Sequence, residues 1–411
     1  MSRAPVPSLE GALKVMKPNL THTTKVALVL AFLGTSAFAQ TYTYKMVLSL
    51  RTLNEPNSSI TIIGNRGYGS LQSGGIYQAS TSGAHIATGC CVSTTSLASD
   101  SSGNLYGVDA SPFHQKEGRV FAVSPLHGFK ERNLYDFTGG VDGQIYPLDE
   151  APVLVDQSGN VWGVAYGGGG NPCDNGDVKE CGVVFELVNN QDVWSETVIH
   201  SFSGPPDGAG PDGGLAFDPA SGTYYGTTKY GGDLMCNCGT VYQLVPNGDG
   251  TWSENVIHAF VGTDGSQPHA GVMVDGQGNL YGTTWAGGDF GYGTVYEISG
   301  GQLNILHSFD AASGSSDGGN PNAPVTFDLA GNLWGTTLSG GNHGEGTIFA
   351  LMQDDGWQYA VFHGFGGLGP PRDGGYPYGG LAVDSDGNLW GNTYVGGGLN
   401  YGTFYEVAFT K

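Results

Sequence analysis

One short motif, repeated along most of the chain, constrains the fold more than any other feature. Six segments share it: Gly103-Asn104-Leu105-Tyr106-Gly107, Gly159-Asn160-Val161-Trp162-Gly163, Gly222-Thr223-Tyr224-Tyr225-Gly226, Gly278-Asn279-Leu280-Tyr281-Gly282, Gly331-Asn332-Leu333-Trp334-Gly335 and Gly387-Asn388-Leu389-Trp390-Gly391. The closing glycines recur at intervals of 53 to 63 residues. A unit of this size cannot bury an apolar face alone. Like units must pack against one another.

Each unit carries four short strand signals, illustrated by the copy at 272–309. Val272-Met273-Val274-Asp275 is apolar and ends in an acid. A Gly-Asn turn follows, in which glycine takes φ > 0 and Asp or Asn bonds back to the backbone. Leu280-Tyr281-Gly282-Thr283-Thr284 is the second strand, Gly293-Thr294-Val295-Tyr296-Glu297-Ile298 the third and Ile305-Leu306-His307-Ser308-Phe309 the fourth. A return with Asp-Gly and often Pro, here Asp317-Gly318-Gly319-Asn320-Pro321, leads to the next unit. Such runs, rich in β-branched and aromatic residues and bounded by turn formers, predict strands. Four antiparallel strands repeated at this period predict the blade of an all-β propeller.

The first unit is worn, with Ile60-Thr61-Ile62-Ile63, Gly67-Tyr68-Gly69 and Gly75-Ile76-Tyr77-Gln78-Ala79 as its strands. Counting it, seven four-stranded blades are expected, with six and eight left open. The last unit stops after its third strand. Tyr44-Lys45-Met46-Val47-Leu48-Ser49-Leu50 resembles the fourth-strand copy Val198-Ile199-His200-Ser201-Phe202. The N-terminal strand is therefore expected to close the ring by completing the last blade, pairing an otherwise open edge.

Residues 1–39 read as a secretory signal peptide. Lys14, Lys17 and Lys25 precede a short apolar run ending at Ala37-Phe38-Ala39, an A-x-A site before Gln40, and Met16 is an alternative start. The run is too short to span a membrane as a helix, although an uncleaved anchor is the rival reading. Residues 40–411 are expected to form one propeller, monomeric and free in the periplasm or medium. The net charge of −22 repels nucleic acid and anionic lipid, and neither is expected as a partner.

The succession Leu-Tyr-Gly-Thr-Thr, Gly-Gly, Gly-Thr-Val-Tyr and Asp-Gly-x-x-Pro resembles the choice-of-anchor tandem-repeat GloVer proteins. The resemblance covers nearly all of the mature chain and is weakest before about Gly103. It implies an exported bacterial repeat protein and supplies no catalytic residues. Strand order also resembles NHL-repeat propellers, at the level of the fold.

With the first strand innermost, the loops between strands two and three and the Asp-Gly returns share one face. Tyr166, Tyr230, Trp285 and Tyr394 stand on the first group, at or next to one position after strand two. Asp207, Asp264, Asp317 and Asp373 stand on the second, with Asp142 and Asp212 also followed by glycine. Rings that stack on apolar sugar faces and carboxylates that accept hydroxyl hydrogens suit a glycan or peptide. Against this, Asp-Gly and Gly-Gly also make tight turns.

His200, His258, His307 and His363 recur on strand four. They lie in different blades, so packing or hydrogen bonding is expected rather than a shared metal. The alternation of Trp162, Trp334 and Trp390 with Tyr106, Tyr225 and Tyr281 reads as core between blades. Asp384-Ser385-Asp386-Gly387-Asn388 resembles the start of a calcium loop. The later ligands are absent and the acid recurs at Asp156, Asp218, Asp275 and Asp328, so turn capping explains it better. No cofactor is expected.

Cysteines in an exported chain suggest disulfides. Cys173–Cys181 is a comfortable local pair, contributing ~2.5 kcal/mol by loop closure. Cys236–Cys238 would be tight, which keeps a crossing from Cys173 or Cys181 to Cys236 open. Cys90 and Cys91 are adjacent, as a vicinal disulfide or free thiols. The sequence contains no H-E-x-x-H or phosphate loop. Asp149, Glu150, His269 and Asn322, near strand-one starts, form no evident recurrent set. A binding or adhesion module is expected first, then a structural extracellular role, then a lactonase- or lyase-type enzyme.

Overall fold

The structure is a computed structural model. It describes residues 41–410 apart from 50–55, 57, 72–74, 81–82, 88–95, 111–116, 147–150, 174–178, 313–314 and 368–372. The leader, Cys90, Cys91, Asp149 and Glu150 fall outside the described residues.

Seven four-stranded antiparallel sheets form the blades of a propeller. Blades 1 to 6 span residues 61–87, 98–136, 154–201, 216–259, 273–308 and 326–364. Blade 7 takes three strands from the C-terminal end, Ala382–Val383, Leu389–Thr393 and Thr403–Thr410, and its fourth from Thr41–Ser49. The N-terminal strand runs antiparallel to Thr403–Thr410, with Tyr44 opposite Val407. It also reaches back to blade 6. Tyr42 donates to the Asp328 carboxylate at 2.6 Å and Tyr44 to the Asp373 carbonyl at 3.0 Å. Seven blades and closure by the N-terminal strand are thus both realised.

First strands are only two or three residues long and touch those of neighbouring blades, which places them innermost. The approach there is backbone to backbone: a Cβ on Gly213 would lie 2.2 Å from the Gly271 nitrogen. The apolar cores lie between blades. In one, Phe185 and Val183 of blade 3 pack with Val120 and Tyr106 of blade 2. In the next, Trp162 of blade 3 stacks on Tyr224 of blade 4 at 4.3 Å.

The motif glycine on strand two has a steric cause. A Cβ on Gly335 would lie 2.4 Å from the Phe349 ring, which crosses over it from strand three. The hairpin acid before the motif is a cap. Asp328 accepts from the Ala330 and Asn332 amides, the Asn332 side chain and the Trp334 indole. Asp384 does the same with Asp386, Asn388 and Trp390. Capping is therefore the role of the acid in the calcium-like segment.

Candidate functional site

Two parts of each blade build the loop face, and backbone hydrogen bonds tie them together. The residue after strand two donates its amide to the residue before the return proline. Lys229 bonds to Gly210, Trp285 to Gln267, Leu338 to Asn320 and Tyr394 to Tyr376, at 2.9 to 3.2 Å. The four acceptors share a left-handed conformation, with φ between 52° and 61°. Short two-stranded ladders reinforce the clasp, Gly208–Ala209 with Tyr230–Gly231 and Gly318–Gly319 with Ser339–Gly340.

Each clasp sets the side chain that follows strand two beside one that follows the return proline. The pairs are Lys229 with Asp212, Trp285 with His269, Leu338 with Asn322, and Tyr394 with Tyr378. Trp285 stacks on the His269 ring at 5.2 Å, and Tyr394 meets Tyr378 edge-on at 5.4 Å. Neighbouring pairs join at the inner rim. His269 Nδ1 lies 3.5 Å from the Asp212 carboxylate, and both side chains keep some solvent contact, at 21 and 12 % exposure. Lys229 sits over the rings of Tyr166 and Tyr230 at 5.7 and 5.1 Å.

Burial dominates the electrostatics of this cluster. It pushes the Asp212 carboxyl up to about 7, against the pull of Lys229. It pushes His269 down to about 3, helped by Lys229 and opposed by Asn322. The imidazole is neutral at pH 7, so Asp212 and His269 are not a full ion pair.

Residues 234–411 match the family model described as the Gloeobacter/Verrucomicrobia repeat. Over that stretch the chain is similar to this repeat. No curated protein matches the chain. Among solved structures, the WD40 β-propeller domain of Doa1 aligns at 9 % identity with a TM-score of 0.54, covering 90 % of this chain and 97 % of that one. It shows the propeller fold. A Bacteroides thetaiotaomicron protein of unknown function aligns at 14 % identity with a TM-score of 0.47, covering 90 % and 76 %.

The blades place the remaining sequence candidates elsewhere. Asp207, Asp264, Asp317 and Asp373 do not line the inner rim. They sit at the outer seams, each against a fourth-strand histidine: His200–Asp207 at 3.3 Å, His258–Asp264 at 3.0 Å, His307–Asp317 at 2.9 Å and His363–Asp373 at 2.7 Å. They also accept return-loop amides, as Asp317 does from Asp310 and Gly318. A bulge in strand four aims the histidine: Val184 pairs with His200 and Phe185 with Val198, skipping Ile199. Two seams add a second carboxyl. Glu196 and Glu254 are each pushed up to about 7, by burial first and then by Asp142 and Asp207 respectively.

Of the four aromatic candidates, Tyr166, Tyr230 and Trp285 gather around the Lys229–Asp212–His269 cluster, whereas Tyr394 belongs to the blade 7 clasp. Tyr166 is buried, and the other three are half-buried. His269 and Asn322, set down in sequence as unrelated, occupy one register position with Asp212 and Tyr378. Lys229 was missed. The residue following the return proline, and the one following Thr-Thr, were the signals for this set.

Both disulfides are local, Cys173–Cys181 and Cys236–Cys238, with Cα separations of 5.1 and 5.0 Å. The crossing between loops is not adopted. Each pair abuts a return glycine, Gly204 in one case and Gly262 in the other. On the opposite face, a hollow of about 430 Å³ lined by Tyr106, His127 and Arg132 lies away from this cluster. No helix among the described residues is long and apolar enough to cross a membrane.

Proposed function

We propose that the chain is an exported, non-catalytic binding module whose ligand, a glycan or a peptide, sits over the clasps of the loop face. The observation that carries this reading is the constancy of the clasp backbone against the variety of its side chains. One hydrogen-bonded frame presents Lys with Asp, Trp with His, Leu with Asn and Tyr with Tyr. A rigid scaffold with variable display is the arrangement expected of a recognition surface. Exposure points the same way. Among the described residues, seven of the eleven exposed large apolar side chains stand on this face, including Met235, Phe290 and Tyr376. Rings for stacking stand beside carboxylate, amide and ammonium groups for hydrogen bonding, which suits sugars.

A second reading, a lactonase- or lyase-type enzyme, draws on the Asp212–His269 pair, since a carboxyl pushed up to about 7 is placed to exchange a proton near neutral pH. One experiment serves both. The purified chain is screened on glycan and peptide arrays, with and without calcium, and hits are followed for turnover. Binding without turnover is expected. Trp285→Ala should weaken binding by ~1–3 kcal/mol, as for a stacked anchor, with little change in melting temperature. A large stability loss with unchanged affinity would assign Trp285 to the core instead. Export is checked by the intact mass of secreted protein, which should begin at or near Gln40.

A further inference from the structure

We propose that His200, Asp207 and Glu254 form a site for one divalent transition-metal ion, zinc foremost, in the seam between blades 3 and 4. The four fourth-strand histidines never meet, but this one meets two carboxylates. It comes from strand four of blade 3, Asp207 from the return that follows, and Glu254 from strand four of blade 4. One ligand atom from each lies within 4.8 Å of the other two.

The repeat supplies its own controls. Glu254 stands opposite Leu244. The matching position is Leu303 in blade 5, Tyr359 in blade 6 and Tyr44 in blade 7. Those seams are complete without an ion. Tyr359 donates to Asp317, and Tyr44 stacks on His363 at 3.9 Å. In the Glu254 seam the Oε1 of the new carboxylate is buried without a hydrogen-bond partner, as is Oε1 of Glu196 in the preceding seam, but only Glu254 has a histidine beside it. Among the described residues, neither Glu254 nor Asp207 has an ion pair with Lys or Arg.

The imidazole spacing differs as well. The other three His–Asp pairs stand at hydrogen-bond lengths of 2.7 to 3.0 Å, and His200 stands 3.3 Å from Asp207. Two ligands of one tetrahedral ion, each bound at about 2.0–2.1 Å, are separated by about 3.3–3.5 Å. One nitrogen and two carboxylate oxygens favour zinc over calcium or magnesium, which take oxygen shells. His200 and Asp207 keep 23 and 17 % side-chain exposure, so the ion has access from solvent.

The test uses the whole chain with disulfides intact, stripped with EDTA and titrated with Zn²⁺ by calorimetry and with Co²⁺ by visible absorption. Saturation at one equivalent is expected, with cobalt bands of four-coordinate intensity and a higher melting temperature. Glu254→Leu and Glu254→Tyr install side chains that this position already carries in blades 5 and 6. Both should fold and bind at least tenfold more weakly. His200→Asn, which leaves Glu254 in place, should do the same. Glu196→Gln, in the seam where Tyr135 replaces the histidine, should change nothing. Absence of one-equivalent uptake, or uptake that survives Glu254→Leu and His200→Asn, overturns the site.

Discussion

Blades 4 to 7 and blades 1 to 3 reach the same architecture with different chemistry at the end of strand two. In the first group the motif ends in Thr-Thr or Asn-Thr. The first of these residues bridges to the next blade. Thr227 donates to the Ala270 carbonyl, Thr283 to Ala323, Thr336 to Gly379, and Asn392 across the closing seam to Ser58. The second pairs with a threonine of strand three, as Thr284 does with Thr294 at 2.9 Å. Blades 2 and 3 put Val108 and Val164 at the bridging position. Their strand-three pairs are the ion pair Asp109–Arg119 at 2.9 Å and the apolar pair Ala165–Val183. The family model matches residues 234–411, within the threonine-rich group. The lesson is that the blade tolerates a polar, an ionic or an apolar solution at this point, provided that every buried group is matched.

The comparison can be broken most severely at its seam. Deleting residues 41–50 removes the strand beside Thr403–Thr410 and the bonds to Asp328 and Asp373. The variant should aggregate or lose its cooperative melt in calorimetry. An unchanged melting temperature would show that this strand does not close the ring.

Next in size is Arg119→Ala in blade 2. It takes the cation from Asp109, whose side chain is fully buried, and should cost ~3–5 kcal/mol in denaturant unfolding. The cost should fall when Asp109 is replaced as well by a small apolar residue.

Asp212→Asn sharpens the electrostatic side. Its carboxyl is raised from 3.8 to about 7 in the folded chain. The wild type therefore loses stability as pH rises through that window. The variant should gain on the order of 2 kcal/mol over wild type at pH 8, once the wetted side of the group is allowed for, and nothing near pH 4. Paired melts at the two pH values check it. His269, held down to about 3, contributes the opposite slope and is common to both proteins.

The smallest effect should come from Thr284→Val. It removes the bond to Thr294 in a seat that blade 3 fills with Ala165, and should cost ~1 kcal/mol by the same unfolding measurement. A cost near that of Arg119→Ala would mean that the two groups are not equivalent solutions.

The blades, their number and the closing strand were legible because strand periodicity and turn residues are local properties. The inner-rim cluster was half legible. Tyr166, Tyr230 and Trp285 stand at or beside a repeated position, which is a local property of the sequence. Asp207, Asp264, Asp317 and Asp373 were read into the same surface because they share its face, but they lie at the outer seams. Periodicity tells which end of a strand a residue occupies and is silent about its distance from the axis. Asp212 was passed over as one more Asp-Gly turn, although its place after Pro211 aligns it with His269 and Tyr378.

What the sequence by itself determined is therefore the unit: four strands, a capped hairpin, a glycine in strand two and an Asp-Gly return. These follow from propensity and turn chemistry within some 55 residues. The tertiary structure alone decided which residues of different units meet. His269 finds Asp212, Glu254 finds His200, and Tyr42 finds Asp328 only because the ring closes and sets adjacent blades face to face. Such contacts depend on the angle and spacing between packed sheets, and no local pattern encodes them.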